Sequence, residues 1–268
     1  MRVRGLGAKR PLFVLQMGKV GSSSVTKALM SAVSHRPVFQ LHVISDDGLK
    51  SAVARIRESE NPSLDRHLIE SLVLSNTIKK LPHIEIITLT RDPIARAVSF
   101  VVQDLTRHCP GARTSTGTID WSKVETVILN KLSAGTSHHD PTQWFNQEIL
   151  EPFNVDVFSQ EFEPRKGALI MTAPRVSLIC VRMEDLGRTE TDSSLSQFVE
   201  SSQLLTFSRE NASANKPVAD EYREFVKGFR IPHDLCQKIY ETRYARHFYG
   251  NEIPSLIEKW SGSEVMNA

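Results

Sequence analysis

Short apolar runs rich in β-branched residues alternate with longer amphipathic segments in the first half of the chain. The runs lie at about 12–16, 38–42 and 84–90, and a further one lies at 176–182. Runs of this length, separated by helical patterns, are typical of buried strands that helices connect. Strands connected in this way form a parallel sheet with helices on its faces, so the sequence predicts an α/β fold.

The segments between the predicted strands have the periodicity of helices. We expect helices over about 22–33 and 49–80, the second broken at Asn61-Pro62. From about 218 to 260 the pattern is mostly helical, and prolines stand where helices can begin. The sequence therefore predicts a parallel sheet flanked by helices, with a helical C-terminal layer, in one domain.

The charge balance and the cysteines narrow the classes of function. Thirty-three Lys and Arg against thirty-one Asp and Glu give a net charge of +2, so no overall field favours nucleic acid or a membrane surface. Three cysteines lie far apart, without metal-ligand or disulfide spacing, which fits a reducing, cytoplasmic location. No run of about 18 apolar residues predicts a membrane span, and no pattern specifies an oligomeric state. Any anion site must be local.

A glycine-containing loop follows the first predicted strand. It comprises Met17-Gly18-Lys19-Val20-Gly21, and three serines then begin a helix. Such a loop presents backbone N–H groups and the positive end of a helix dipole to an anion, and Lys19 adds a charge. The order of strand, loop and helix is P-loop-like. However, Lys19 precedes Gly21, whereas the lysine of a Walker A loop follows the last glycine, so an ATP-binding loop is disfavoured. Alternatively, this is an ordinary turn in which the serines only cap the helix.

A second candidate anion site follows the third predicted strand. Arg91 stands at the carboxyl end of that strand, where ligands bind in open α/β sheets. Asp92 is a suitable N-cap and Pro93 a suitable first helical residue, which places Arg96 and Ser99 on one helix face. Two guanidinium groups and a hydroxyl in this arrangement favour phosphate. Alternatively, the arginines are solvated and only the helix start is significant.

These two segments together resemble the sulfotransferase superfamily, whose members use 3′-phosphoadenosine 5′-phosphosulfate (PAPS). The first segment, QMGKVGSSSV, resembles the loop that binds the 5′-phosphosulfate in that family. The second, TRDPIARAVSF, resembles the strand and helix that bind the 3′-phosphate. The chain is most similar in appearance to bacterial capsular polysaccharide synthesis proteins, distant relatives of the carbohydrate sulfotransferases. Further similarities, from about 12 to 260, are HVISD, QWFNQEI, LICVRMEDL, NKP and YARHFYGNEI.

The resemblance implies a role for each matching residue. The residues implied to hold the 5′-phosphosulfate are Gly18, Lys19, Gly21, Ser22, Ser23 and Ser24. Arg91 and Ser99 would hold the 3′-phosphate, with Arg96 assisting, and Lys216 resembles a late basic loop that closes over the nucleotide, unless it is a solvated lysine. Animal cytosolic members have a tryptophan after this loop, and here none follows, so the resemblance assigns no adenine-stacking residue.

Proton removal from the acceptor requires a base, and His42 is our first candidate. It ends the second predicted strand, at the sheet edge that also carries Lys19 and Arg91, and imidazole titrates in the range that suits an alcohol. Alternatively, His42 only hydrogen-bonds a carbonyl. Other candidates are His138, His139 and Glu184. Trp144 and Phe145 are expected to pack in the core rather than to stack on a sugar.

We therefore predict a PAPS-dependent sulfotransferase acting on a carbohydrate or other hydroxyl acceptor. Lys19 would stabilise charge on the leaving phosphate, and with no carboxylate pair beside the loop no metal is expected. Within one domain, 11–105 would form the nucleotide-binding core, 106–175 an acceptor-side insertion, and 176–268 the fourth strand and C-terminal helices. Two alternatives remain open: a P-loop kinase-like enzyme, and an inactive relative that binds during polysaccharide assembly.

Overall fold

The structure is a computed structural model that describes residues 10–57, 66–115, 117–136, 139–207 and 219–262. It divides the chain into two compact units. The first unit comprises Met1–Thr90 and Trp144–Arg209, and the second comprises Arg91–Gln143 and Glu210–Ala268. Asn61, Pro62, His138 and Lys216, which the sequence analysis singled out, lie outside the described residues.

The strands of the first unit agree closely with the predicted runs. They are β1 (Leu12–Leu15), β2 (Val38–Leu41), β3 (Ile84–Thr90), β4 (Ala168–Ala173) and β5 (Val176–Arg182). They form one sheet in the order β2-β1-β3-β5-β4, in which the pairs β1–β2, β1–β3 and β3–β5 are parallel. The mixed α/β fold with a mostly parallel sheet is therefore confirmed.

Strand β4 was not predicted, and it pairs antiparallel with β5. The sequence analysis had assigned these residues to an insertion and had counted 176–182 as the fourth strand. Pro174 and Arg175 make the tight connection between the two strands, as is typical of a hairpin. β4 lies at the edge of the sheet, and its Ile170 is 48% exposed although residues 168–171 are all apolar.

The helices follow in chain order. The first seven are α1 (Ser22–Ala32), α2 (Asp46–Arg57), α3 (Arg66–Ile78), α4 (Pro93–Gln103), α5 (Leu105–His108), α6 (Trp121–Ser133) and α7 (Thr142–Phe145). A π-helical turn, Asn146–Leu150, continues α7. The remaining helices are α8 (Glu151–Phe153), α9 (Thr189–Phe198), α10 (Ala219–Gly228), α11 (His233–Tyr240), α12 (Arg243–Tyr249) and α13 (Ile253–Ser261).

The chain order of the strands defines a topological switch point. From β1 the chain passes to β2 on one side and then returns to β3 on the other side of β1. In open α/β sheets, ligands bind at the carboxyl ends of the strands where the order reverses in this way. We therefore expect a ligand site near the carboxyl ends of β1 and β3, formed by the segments that follow β1, β2 and β5.

The second unit has a helical core of its own. Buried apolar residues from α4, α6, α11 and α13 form one cluster, whose members include Val98, Val101, Ile128, Ile239 and Trp260. A helical C-terminal region was predicted, and α10 to α13 confirm it. Within the residues that the structure describes, no helix combines the length and the apolarity needed to cross a membrane.

A buried ion pair stabilises the amino end of the sheet in the first unit. Glu85 of β3 pairs with Arg36 and Arg10, and both Arg36 and Glu85 are buried. Arg36 also donates to the carbonyl of Arg10 at 2.8 Å and to that of Val199 at 3.3 Å. Since a buried cation needs an opposite charge, the free energy of folding depends on Glu85.

We predict that Glu85→Ala lowers the free energy of unfolding by about 3 kcal/mol, because it leaves the Arg36 guanidinium buried without its carboxylate. Urea unfolding measures this change. Glu163→Ala is the matched control: its carboxylate pairs with Lys166 at an exposed site, with the two side chains 53% and 58% exposed, and its removal should cost less than about 1 kcal/mol. Equal losses in the two variants would contradict this account of Glu85.

Candidate functional site

Two buried apolar side chains lie in the loop after β1. Met17 and Val20 are 2% and 0% exposed, whereas Gly18 and Lys19 are half-buried. Lys19 has φ 72° and Gly21 has φ 85°, so both lie in the left-handed region. Glycine adopts this conformation readily, but a lysine does so at a cost of about 1 kcal/mol. Backbone strain of this kind concentrates at functional sites.

Gly21 is also the N-cap of α1. Glycine provides no side-chain cap, and the first turn of α1 consists of Ser22, Ser23 and Ser24, which carry no charge. The serines therefore lie within the first turn and do not stand at the N-cap, contrary to the alternative in which they only cap the helix. The backbone N–H groups of this turn and the helix dipole give the end of the loop a positive character.

Met183, which follows β5, packs against the loop. A Cβ atom added to Gly21 would lie 3.2 Å from Cγ of Met183, so the backbone of the loop and this side chain are in close contact. The segment LICVRMEDL, singled out in the sequence, therefore reaches the loop in the first unit. The close contact and the positive φ both require glycine at position 21.

His42 follows β2 and bonds to the residue that precedes the loop. Its Nδ1 lies 2.9 Å from the backbone oxygen of Gln16. A carbonyl oxygen only accepts, so Nδ1 must carry the proton, and in the neutral ring Nε2 then carries the basic lone pair. His42 is half-buried, and its ring meets that of His67 edge to face with 5.1 Å between centroids. The bond to a carbonyl is present and orients the imidazole, while the role of His42 as a base stays a prediction.

Two buried polar groups beside His42 lack hydrogen bonds within the part of the chain that the structure describes. They are the side-chain amide of Gln16, both of whose polar atoms are buried, and Nδ1 of His67. Leaving a buried polar group unsatisfied costs about 1–3 kcal/mol. Such groups are uncommon in native structures and call for a reason in function or in bound water. Their position beside His42 adds to the unusual polarity of this sheet edge.

Trp144 was predicted to pack in the core, and it is 9% exposed with Phe145 at 1%. The prediction is confirmed, but the indole also makes a polar contact that the sequence did not suggest. Its Nε1 donates to the backbone oxygen of His42 at 3.1 Å. The segments HVISD and QWFNQEI therefore contact each other in the first unit.

Glu184 and Asp185, after β5, have different surroundings. Glu184 is exposed, whereas Asp185 is buried. The Asp185 carboxylate accepts from Arg182 at 2.5 and 3.1 Å and from Arg188 at 2.8 Å. Asp185 therefore neutralises two arginines beside β5, which makes it a structural group. The alternative role of Glu184 as a base stays a prediction.

In the second unit, Asp92 and Pro93 begin α4 as predicted. Oδ1 of Asp92 accepts from the backbone N–H of Ala95 at 2.6 Å, which is the N-cap bond, and Oδ2 accepts from the Tyr240 hydroxyl at 2.5 Å. Burial raises the pKa of Asp92, and the bonds from Tyr240 and Ala95 act in the opposite direction. The Tyr244 hydroxyl accepts from the N–H of Arg91 at 3.0 Å and donates to its carbonyl at 2.8 Å. Two tyrosines thus fix the backbone around Arg91.

The other predicted residues of this segment lie on α4. Arg96 is 3% exposed, and burial lowers its pKa to about 10, which leaves the guanidinium charged at neutral pH. Ser99 is half-buried and stands one turn further along the helix. Of the predicted site residues, the structure thus places the loop, its serines and His42 in the first unit, and Arg91, Arg96 and Ser99 in the second.

The contacts of Trp144, Met183, Tyr240 and Tyr244 were not predicted. Trp144 bonds to a residue 102 positions away, and Tyr244 to one 153 positions away. Apolar periodicity identifies a face of a helix and not the partner of a residue. The segments QWFNQEI, LICVRMEDL and YARHFYGNEI, which contain Trp144, Met183 and Tyr244, had been singled out in the sequence, but without their partners.

Residues 119–250 match the model of a family named NKWYS and described as putative capsular polysaccharide synthesis protein. The match covers just under half of the chain and includes Trp144, Met183, Tyr240 and Tyr244, but it does not reach the loop or His42. The comparisons with curated proteins and with solved structures gave no match.

The conformation of Lys19 can be tested by stability alone. Lys19→Gly and Lys19→Ala both remove the ammonium group, but only glycine adopts φ 72° without strain. We predict that the glycine variant is more stable than the alanine variant by about 1 kcal/mol, measured by urea unfolding. A less stable glycine variant would show that Lys19 is not left-handed in the native loop.

Proposed function

We propose that the protein is a PAPS-dependent sulfotransferase that transfers a sulfuryl group to a hydroxyl of a carbohydrate. One observation carries the proposal: a strained lysine loop and the positive end of α1 lie next to a histidine whose protonation at Nδ1 is set by a carbonyl. An anion-binding loop and an oriented base are two requirements of metal-independent group transfer to an alcohol.

The loop would bind the 5′-phosphosulfate. Its backbone N–H groups, the hydroxyls of the first turn of α1 and the Lys19 ammonium are donors for phosphate oxygens. PAPS, as the second substrate, supplies a sulfuryl group joined to a good leaving group. On the basis of the resemblance, Arg91 and Ser99 would bind the 3′-phosphate, which distinguishes this nucleotide from ATP. Arg96 would add positive charge on the same helix.

The chemistry assigned to the chain is limited to alignment and proton transfer. The acceptor oxygen forms a bond to sulfur while the bond between sulfur and the phosphate oxygen breaks, and adenosine 3′,5′-bisphosphate leaves. Nε2 of His42 takes the proton of the acceptor hydroxyl. Lys19 and the N–H groups of the loop stabilise the negative charge that develops on the leaving phosphate.

The family match supports a carbohydrate as the acceptor. Residues 119–250 match a family described as putative capsular polysaccharide synthesis protein. The principal nucleophiles of a polysaccharide are its hydroxyl groups. We therefore place the reaction in polysaccharide biosynthesis, with a sugar hydroxyl as the acceptor.

We predict that adenosine 3′,5′-bisphosphate raises the melting temperature, whereas ATP with Mg²⁺ does not. A ligand selective for the native state adds about 2.7 kcal/mol when present at 100 times its Kd. Lys19→Ala should abolish the shift. Lys50→Ala should preserve it, since Lys50 is 78% exposed and pairs with the exposed Asp47 on the surface of α2. Stabilisation by ATP and not by the bisphosphate would support a kinase-like enzyme instead.

We further predict that His42→Gln lowers kcat by at least about 100-fold, the usual contribution of a general base. The melting shift caused by adenosine 3′,5′-bisphosphate should persist, because the histidine acts on the acceptor and not on the nucleotide. His35→Gln, which alters an exposed histidine, is the control. A His42→Gln enzyme with the rate of the wild type would remove this residue from the mechanism.

A further inference from the structure

We propose that Trp144 and Glu148 are positioning residues for His42 and act through the main chain of residues 42–45. The proposal rests on the proposed function, in which His42 is the base. Both residues belong to the short helical segment formed by α7 and the π-helical turn. Trp144 bonds to the backbone oxygen of His42, and Glu148 bonds to the backbone N–H groups of Ile44 and Ser45. Their effect on catalysis would therefore pass through the backbone.

Trp144 holds the first residue of this stretch. Its indole Nε1 donates to the backbone oxygen of His42, and its ring is fixed by the core. Phe145 meets Trp144 edge to face at 5.1 Å, and Phe158 meets Phe145 in the same way at 5.5 Å. An indole packed in this manner has little freedom to move, so the carbonyl to which it donates is also restrained.

Glu148 holds the other end of the stretch. Its carboxylate is buried, and Oε2 accepts from the backbone N–H groups of Ile44 at 2.5 Å and Ser45 at 2.8 Å. Oε1 accepts from the Ser45 hydroxyl at 2.8 Å. Hydrogen bonds to an ionised acceptor are roughly twice as strong as neutral ones. Three such bonds fix two consecutive residues that lie two and three positions after His42.

Capping of α2 does not by itself explain this arrangement. The Ser45 hydroxyl already accepts from the N–H of Gly48 at 2.9 Å, which is the N-cap bond of the helix. Glu148 adds bonds to the backbone N–H groups of Ile44 and Ser45, which lie between His42 and the start of α2. Together with Trp144, it ties this segment at the backbone oxygen of His42 and at the N–H groups of Ile44 and Ser45.

The Glu148 carboxylate occupies the space that a side chain at position 48 would fill. A Cβ atom on Gly48 would lie 2.1 Å from Oε1 of Glu148 and 2.7 Å from the hydroxyl oxygen of Ser45. The glycine at position 48 therefore admits the buried carboxylate. The π-helical turn that carries Glu148 is a rare conformation, found frequently at functional sites.

Restraint of this kind matters for catalysis because a general base must lie within hydrogen-bond reach of the proton that it removes. A displacement of about 1 Å caused by a distant change can reduce turnover by about 100-fold. The nucleotide loop makes none of these bonds to Trp144 or Glu148, so we expect donor binding to be independent of them.

The test compares kcat and the donor KM in Trp144→Phe, Glu148→Ala and Glu148→Gln. We expect the first two to lower kcat by 10-fold to 100-fold, on the order given by that displacement, with the KM for PAPS unchanged within about twofold. Glu148→Gln should recover most of the rate, since an amide oxygen can accept both backbone bonds and its NH₂ can donate to Ser45. Controls are Trp121→Phe and Glu151→Gln, which make the same chemical changes in α6 and α8.

Gly48→Ala displaces Glu148 without altering it. Alanine favours a helix over glycine by about 1 kcal/mol, so a gain in stability with unchanged kcat would overturn the proposal. A rate for Glu148→Gln as low as that of Glu148→Ala would also overturn it, because the charge and not the position would then matter. An unchanged kcat in Trp144→Phe would likewise overturn the proposal. This outcome can be measured even if Glu148→Ala does not fold.

The ¹⁵N NMR signals of the His42 ring separate this proposal from the proposed function. We expect Nδ1 protonation to dominate in the wild type and to fall in Trp144→Phe, whether or not sulfuryl transfer is detected. If the tautomer is unaltered in that variant, positioning by Trp144 is wrong. If the tautomer changes but no transfer occurs in any variant, the positioning stands and the sulfotransferase assignment fails.

Discussion

The hydrogen bond between His42 and the carbonyl of Gln16 joins the carboxyl ends of two neighbouring parallel strands. It does so next to the switch point of the sheet, where the chain order places a ligand site. It also determines which ring nitrogen is basic. The strained loop, the uncapped start of α1 and the supports of residues 42–45 are arranged around it. The bond fixes the imidazole against the residue that precedes the glycine-containing loop.

Local signals in the sequence were sufficient for the buried elements. Strand β3 and strand β5 were predicted with their observed bounds, because continuous apolar runs are typical of strands covered on both faces. The start of α4 was also predicted, since Asp92 and Pro93 carry the capping signal in two adjacent residues. Strand β4 was missed although residues 168–171 are all apolar, because so short a run does not by itself distinguish a strand from a helical segment.

The supports of the site could not be predicted in the same way. Glu148 is 103 positions from Ser45, and nothing local indicates that a glutamate in an amphipathic helix will be buried against a distant backbone. The left-handed φ of Lys19 could not be predicted either, because lysine itself does not favour that conformation. Propensity identifies elements, whereas the pairing of side chain and backbone across the fold is decided by tertiary packing.

The family match covers the residues that bond to the His42 segment, and not the residues to which we assign chemistry. It includes Trp144 and Glu148, while Lys19 and His42 precede it in the chain. Trp144 and Glu148 connect the matched part of the chain to the part that precedes it, because both bond to the backbone of the segment that begins with His42. The chemistry assigned to the loop is therefore physically tied to the part of the chain that resembles capsular polysaccharide synthesis proteins.

The most direct test of the account is transfer of ³⁵S from labelled PAPS to a panel of bacterial polysaccharides, oligosaccharides and small alcohols. The account predicts a labelled carbohydrate and release of one adenosine 3′,5′-bisphosphate for each sulfuryl group transferred, without added metal. Incorporation of label from γ-³²P ATP into the same acceptors, with none from PAPS, would contradict it.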